Sequence, residues 1–184
     1  MSNENEKLGQ KIRKMRQNKG LKLAGLAAMI KKTPSYLSQV ERGLAEPSIT
    51  ALREICRALE VPLFYFLVDD RQQSALVRKE QRRVLNFPDA KISFELISPD
   101  INHQMELIEF HLKPGASTGP TPQSHSGEEC SLVLEGEMEI QVGEQFYTLE
   151  RGDSIYYQAS IPHRITNIGE GELVFISAIT PPNF

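Results

Sequence analysis

Apolar residues recur at helical spacing over the first third of the chain and at strand spacing over its second half. Leu8, Ile12 and Met15 stand at i, i+4 and i+7 among Lys7, Lys11, Arg13, Lys14 and Arg16, which predicts an amphipathic helix. Gly20 follows, the residue that best ends a helix in a left-handed turn. Leu23, Leu26, Ala27 and Ile30 form a second apolar stripe. Thr33-Pro34 opens a third helix: threonine caps the free amides of the first turn, and proline suits the first helical position. Leu37 and Val40 give that helix its buried side, and Gly43 stops it. Ser48 caps a fourth helix, with Ile49, Leu52, Ile55, Cys56 and Leu59 inward. Residues 62–67 read as an apolar fifth turn or helix.

From Val84 the period falls to two. Residues 92–97 and 106–112 read as strands, and 131–142 as an alternating run with Leu132, Leu134, Met138, Ile140 and Val142 on one face. Gly143-Glu144 makes a hairpin turn before 145–149, and Gly152-Asp153 another before 155–158; strands over 164–167 and 173–178 follow. Short strands punctuated by glycine and proline predict a sandwich or closed barrel. Between the patterns lies DDRQQSALVRKEQRR, residues 69–83, charged and poor in bulky apolar groups. It reads as a solvated linker; the alternative is extra phosphate contact from Arg78, Lys79, Arg82 and Arg83. The expected fold class is a two-domain α + β chain: an all-α unit over 1–68, the linker over 69–83, and an all-β unit over 84–184.

Charge sharpens the division. Residues 1–68 carry a net of about +6, the linker about +2, and residues 84–184 about −11, within an overall −3. All four histidines, His103, His111, His125 and His163, lie in the acidic part. A basic front suits nucleic acid and an acidic back repels it, so two partners are expected. Two cysteines, Cys56 and Cys130, make no disulfide framework, and both are expected as buried small hydrophobes. No apolar run approaches the ~20 residues that span a bilayer, and the polar start has no signal-peptide pattern. The chain is expected to be cytoplasmic and to have no membrane partner.

The second and third helices, over 23–30 and 34–42, join through a tight turn, as in a helix-turn-helix. The third presents Ser35, Tyr36, Ser38, Gln39 and Arg42: serine and glutamine bond base edges, and Arg42 suits a guanine or a phosphate. Thr33 at its start and Lys22 at the start of the second helix complete the expected DNA-facing set. The string Gly20-Leu21, Leu26-Ala27, Ser35-Tyr36-Leu37-Ser38-Gln39-Val40-Glu41-Arg42-Gly43, Pro47-Ser48-Ile49, Leu52, Ile55-Cys56 and Leu59 resembles the XRE family of lambda-repressor-like domains over about residues 8–67. The resemblance implies that 34–42 is the recognition helix and that Glu41 is structural. Lys22-Leu23 stands where that family often has Ser/Thr then Gln, so base reading is expected to rest on the third helix.

In the back half, His125, Glu129 and His163 supply two imidazoles and a carboxylate. Such a set can hold a divalent ion with positions left open, suited to iron and tolerable for zinc, manganese or nickel. Read singly, each is equally a surface histidine or a loop glutamate. Gln123-x-His125-x3-Glu129-x6-Gly136 and Gly152-x10-His163-x3-Asn167 are similar to the two cupin motifs. That resemblance implies a double-stranded β-helix barrel with His125, Glu129 and His163 as ligands. Gln123 stands where the first motif usually has histidine, and Gln158 and Ser160 replace the usual proline and glycine of the second. A metal-free pocket, in which the same residues hydrogen-bond an organic ligand, is the rival. Gln123, His111 and Tyr156 are further candidate ligand-binding residues, His111 sharing a strand face with Glu109 and Leu107; His103 is expected at the surface.

A helix-turn-helix head on a cupin resembles a family of bacterial transcription regulators, the putrescine-responsive repressors of polyamine catabolism among them. The shared residues in the back half are His125-x-Gly127-Glu128-Glu129, Val133-Leu134-Glu135-Gly136-Glu137, Gly152, Ile161-Pro162-His163, Asn167, Ile176-Ser177-Ala178 and Thr180-Pro181. The resemblance implies a homodimeric repressor on double-stranded DNA, with operator affinity modulated by a small effector or a metal, and no catalytic residues. The acidic back half favours a cationic, polyamine-like effector, with Glu128, Glu129 and Glu109 as candidate partners for its ammonium groups. The alternative is an iron enzyme similar to hydroxypropylphosphonate epoxidase, which shares this domain order and the His-x3-Glu…His spacing. Against it, Lys91, Lys113, Arg151 and Arg164 are all the basic residues available after residue 84 to grip an anion.

Overall fold

The helical stripes become four α-helices among the residues described in the computed structural model, which are 2–66, 75–99 and 103–182. They are α1 (Ser2–Asn18), α2 (Leu23–Met29), α3 (Pro34–Glu41) and α4 (Ile49–Leu59), followed by a 3-10 turn, Leu63–Phe66. The caps are those the sequence advertises. Thr33 Oγ1 accepts the Tyr36 amide at 3.1 Å, and Ser48 Oγ accepts the Ala51 amide at 3.2 Å. Gly20 and Gly43 end α1 and α3 at φ +69° and +70°. Ile12, Leu26, Leu37, Leu52, Ile55, Leu59 and Phe64 are fully or almost fully buried, so each helix contributes its apolar stripe to one core. Leu67 of the expected fifth segment lies outside the described residues. No helix described is long and apolar enough to cross a membrane.

The chain divides into two compact units, Met1–Leu67 and Val68–Phe184. Of the expected linker, 69–74 lie outside the described residues. Its last residues fold with the second unit: a 3-10 turn, Lys79–Gln81, leads directly into the first strand at Arg83. Arg82 Nη1 lies 3.2 Å from both Glu95 Oε2 and Glu109 Oε2. Its guanidinium neutralises two carboxylates that face each other across paired strands, a juxtaposition that would otherwise destabilise the pair.

The second unit holds nine strands among the described residues: β1 (Arg83–Phe87), β2 (Ile92–Leu96), β3 (Glu106–Leu112), β4 (Glu128–Glu135), β5 (Met138–Val142), β6 (Gln145–Leu149), β7 (Ser154–Gln158), β8 (His163–Asn167) and β9 (Leu173–Thr180). Six form one sheet in the order β1-β2-β3-β9-β4-β7, and three form another in the order β6-β5-β8. All pairs are antiparallel. Phe94, Phe110 and Phe175 fill the interior from three neighbouring strands, with Phe110 and Phe175 stacked at 4.5 Å and Phe94 edge-on to Phe110 at 5.1 Å. Met138, Ile140 and Ile165 of the smaller sheet are buried as well.

The structure corrects two readings in this half. The expected single run over 131–142 is two strands in different sheets, broken at Gly136. Gly136 has φ +84°, and a Cβ there would lie 2.6 Å from the Glu172 carbonyl oxygen; only glycine accommodates both the turn and that approach. The phase of β4 is also opposite to the expected one. Glu129, Ser131 and Val133 point inward, while Leu132 is 41% exposed and Cys130 lies outside. Polar residues occupy the inner face here because that face lines a polar site.

Candidate functional site

In the helical unit the candidate site is one face of α3. Ser35, Gln39 and Arg42 are exposed and Tyr36 and Ser38 half-buried, whereas Leu37, Val40 and Glu41 turn into the core. Lys22 and Thr33 are exposed at the starts of α2 and α3, although Thr33 already commits its hydroxyl oxygen to the cap. The Arg42 side chain bends back to the Ser38 carbonyl at 3.3 Å, leaving its Nη groups for an external acceptor. Burial, and the nearby Glu54 charge, hold the Tyr36 phenol above its ordinary pKa, so it is a neutral donor. Glu41 is structural, as the family resemblance implied: its two oxygens take Nε and Nη2 of Arg16 at 2.6 and 2.8 Å.

In the β unit, His125, Glu129 and His163 converge. The loop before β4, the strand β4 and the start of β8 each deliver one of them. His125 Nε2 is 3.4 Å and His163 Nε2 3.8 Å from Glu129 Oε2, and the two imidazoles meet edge to face at 5.1 Å. Backbone pairing fixes both histidines. The His125 amide donates to Ala159 O at 2.9 Å, and His163 exchanges amide–carbonyl bonds with Gln123 at 2.8 and 2.9 Å.

The ring contacts decide the tautomers. His125 Nδ1 lies 3.2 Å from Ser126 O, and His163 Nδ1 2.9 Å from Ile161 O. A carbonyl only accepts, so Nδ1 carries the proton in both rings. Nε2 of each ring therefore faces Glu129 Oε2, offering a lone pair when the imidazole is neutral and an N–H donor when it is protonated. Burial would raise the Glu129 carboxyl, but hydrogen bonding by His125 and Ser177 and the nearby His163 outweigh it and hold its pKa below the ordinary range. Ser131 Oγ lies 3.4 Å from Glu129 Oε1 and 2.7 Å from Ser177 Oγ. One carboxylate oxygen thus faces the serines and the other the imidazoles. Two nitrogen lone pairs and an anionic oxygen in one small space repel each other unless a cation or protons sit among them, so the donor set fits a divalent ion.

The remaining candidate residues lie elsewhere. Gln123 anchors the His163 backbone but turns its side-chain amide to Thr121 and Pro122. His111 faces the opposite side of the sheet from Glu129: on β3 the buried positions are Glu106, Ile108, Phe110 and Leu112, and His111 joins Glu109 at 3.0 Å on the outer face. Tyr156 is 59% exposed on the outer face of β7. His103 is exposed. Of the acids expected to meet ammonium groups, Glu109 pairs with Arg82 outside, Glu128 takes a bond from Gln158, and Glu129 alone of the three faces the interior. The residue not anticipated is Tyr157, one position along from Tyr156. It sits directly opposite Glu129 in register, with its ring 4.9 Å from that of His163.

Comparison with known proteins agrees with both halves. Residues 12–66 match the helix-turn-helix family model and residues 108–179 the cupin domain model. The HTH-type transcriptional regulator PuuR of Escherichia coli is 28% identical over 186 residues, covering both chains entirely. The chain carries an XRE-type helix-turn-helix domain followed by a cupin domain. A solved HTH_3 family transcriptional regulator from Vibrio cholerae aligns with this cupin-bearing regulator at a TM-score of 0.76 and 25% identity, over 97% of each chain. The Fe(II) form of HppE aligns at a TM-score of 0.50 and 18% identity, over 95% of this chain and 98% of that one, a likeness of fold. The protein is a DNA-binding transcriptional regulator whose cupin domain serves as the sensor.

Proposed function

We propose that this regulator is a repressor that binds its operator as a homodimer through α3, and that a cation in the cupin barrel modulates that binding. The observation that carries the sensor reading is the convergence of the tautomer-fixed His125 and His163 on the buried carboxylate of Glu129. A divalent ion held by these three residues would supply a fixed positive centre with positions left for an effector. A second reading gives the same place to the ammonium group of a polyamine-like effector, which Glu129 and the imidazole nitrogens would accept directly. The acidic composition of residues 84–184 favours that class. DNA contact rests on Ser35, Tyr36, Ser38, Gln39 and Arg42, with Lys22 and Thr33 at the helix starts, and dimerisation follows from half-sites spaced about one helical turn apart. The effector acts by its difference in affinity between the DNA-competent and incompetent states.

The test is a mobility-shift assay on the DNA upstream of the gene, at moderate salt, with metal-stripped protein. Co2+ and 1,4-diaminobutane are added separately. A specific complex that either addition weakens supports the proposal, and the addition that works distinguishes the metal from the amine. Loss of all specific binding, with and without additions, sinks the repressor reading. Turnover of 2-hydroxypropylphosphonate by the iron-loaded protein would instead favour the enzyme reading that the same triad permits.

A further inference from the structure

Tyr157 is 5% exposed, and its hydroxyl finds no hydrogen-bond partner among the described residues. The residue lies on the inner face of β7, opposite Glu129 and against the His163 ring. Glu129 and Ser131 are near enough to influence the phenol, and burial first, then the Glu129 charge, pushes its pKa well up. Neither neighbour, however, meets it in hydrogen-bonding geometry. A hydroxyl buried without a partner destabilises a fold. A phenylalanine would fill the same volume without that penalty. The surrounding polar groups are already engaged: Glu129 Oε1 faces Ser131, Glu129 Oε2 faces the two imidazoles, and the serines bond each other. The hydroxyl is therefore a donor left open on the wall of the cation site.

We propose that Tyr157 determines effector specificity by donating a hydrogen bond from its hydroxyl to an oxygen of the ligand beside the cation, so that the barrel takes a small oxygen-bearing acid or alcohol. This inference rests on the metal reading of the triad and adds the ligand's chemical class. A ligand oxygen satisfies a donor that the protein itself leaves unsatisfied, and a site built this way rejects analogues lacking the acceptor. A free polyamine presents only donors when protonated, and so would use this hydroxyl solely as an acceptor.

The test compares the full-length protein with Tyr157→Phe. Without metal, Tyr157→Phe is expected to raise the thermal midpoint of the cupin unit by about 3 °C, since an unsatisfied buried group is removed. Co2+ affinity, read from the visible absorption of the bound ion, is expected to change less than threefold. Glycolate added to the Co2+-loaded proteins should shift that absorption, with about tenfold weaker affinity for Tyr157→Phe. A lower metal-free midpoint, or equal glycolate affinity in the two proteins, overturns the proposal while the metal reading stands. A Tyr157-dependent response to 1,4-diaminobutane in place of glycolate overturns the ligand class. Wild-type protein that takes up no Co2+ overturns the metal reading and this proposal with it.

Discussion

Arg16 and Glu41 form a two-point salt bridge that ties α1 to the last residue of α3, with Nε–Oε1 at 2.6 Å and Nη2–Oε2 at 2.8 Å. Both side chains are buried, and Arg16 Nη1 also caps the chain after α1 through the Leu21 carbonyl at 2.8 Å. The pair joins α1 to α3 on the side of α3 away from the exposed Ser35 and Gln39. Removing one partner leaves the other charge buried and unpaired. Glu41→Ala is therefore expected to destabilise the helical unit by about 3–5 kcal/mol. Urea unfolding followed by far-UV circular dichroism would show it as an earlier loss of helical signal, with the β unit's transition unmoved. An unchanged helical midpoint would mean that the bridge contributes no net stability.

Gln39 on α3 and Arg42 just after it are exposed. Gln39→Ala should leave folding intact and reduce specific operator affinity by about 1–3 kcal/mol, with little effect on random DNA. Lys22→Ala should weaken binding to all sequences alike and lower the slope of log K against log salt by about 1. Fluorescence anisotropy titrations at several salt concentrations separate the two behaviours. Equal losses on specific and random DNA for Gln39→Ala would exclude Gln39 from base reading.

The triad makes its own prediction. Glu129→Gln keeps the shape of the side chain but removes the anion between the imidazoles, and His163→Ala removes one nitrogen donor. Each is expected to abolish stoichiometric Co2+ or Zn2+ uptake, measured by elemental analysis after gel filtration. Gln123→Ala should retain it, because the Gln123 side chain is turned to Thr121 and Pro122. Uptake that survives Glu129→Gln would place the ion elsewhere. The second cluster, Glu95, Glu109 and His111, already holds the guanidinium of Arg82.

The helical unit was legible because each local signal agreed with the others: apolar stripes at 3.6-residue spacing, Thr33 and Ser48 as caps, and Gly20 and Gly43 as stops. The barrel was legible as a class, and His125, Glu129 and His163 through their resemblance to the two cupin motifs. What failed was the inward face of particular strands. On β4 the apolar residues Leu132 and Leu134 suggested the buried side, yet the inner face there carries Glu129 and Ser131. Tyr156 and His111 likewise stand on outer faces, while Tyr157 faces inward. Alternation tells which residues share a face, but the hydrophobic sign of that face reverses where the interior is a polar site. Registering β7 against Glu129 would have found Tyr157.

That inversion can be checked with the two cysteines. Cys56 is buried in α4, and burial pushes its thiol up to about 12; Cys130 is exposed on the outer face of β4. The thiolate is the reactive form, so at pH 8 a buried thiol with so high a pKa is almost entirely protonated and shielded. Native protein treated with Ellman's reagent is expected to release one equivalent of chromophore quickly, and a second on adding guanidinium chloride. Cys130→Ser should abolish the fast phase and leave the slow one. If neither thiol reacts natively, β4 carries Cys130 inward and the placement of Glu129 on the opposite face of that strand is wrong. If the fast phase survives Cys130→Ser, the core of the helical unit opens more readily than the packing of Ile55, Cys56 and Leu59 implies.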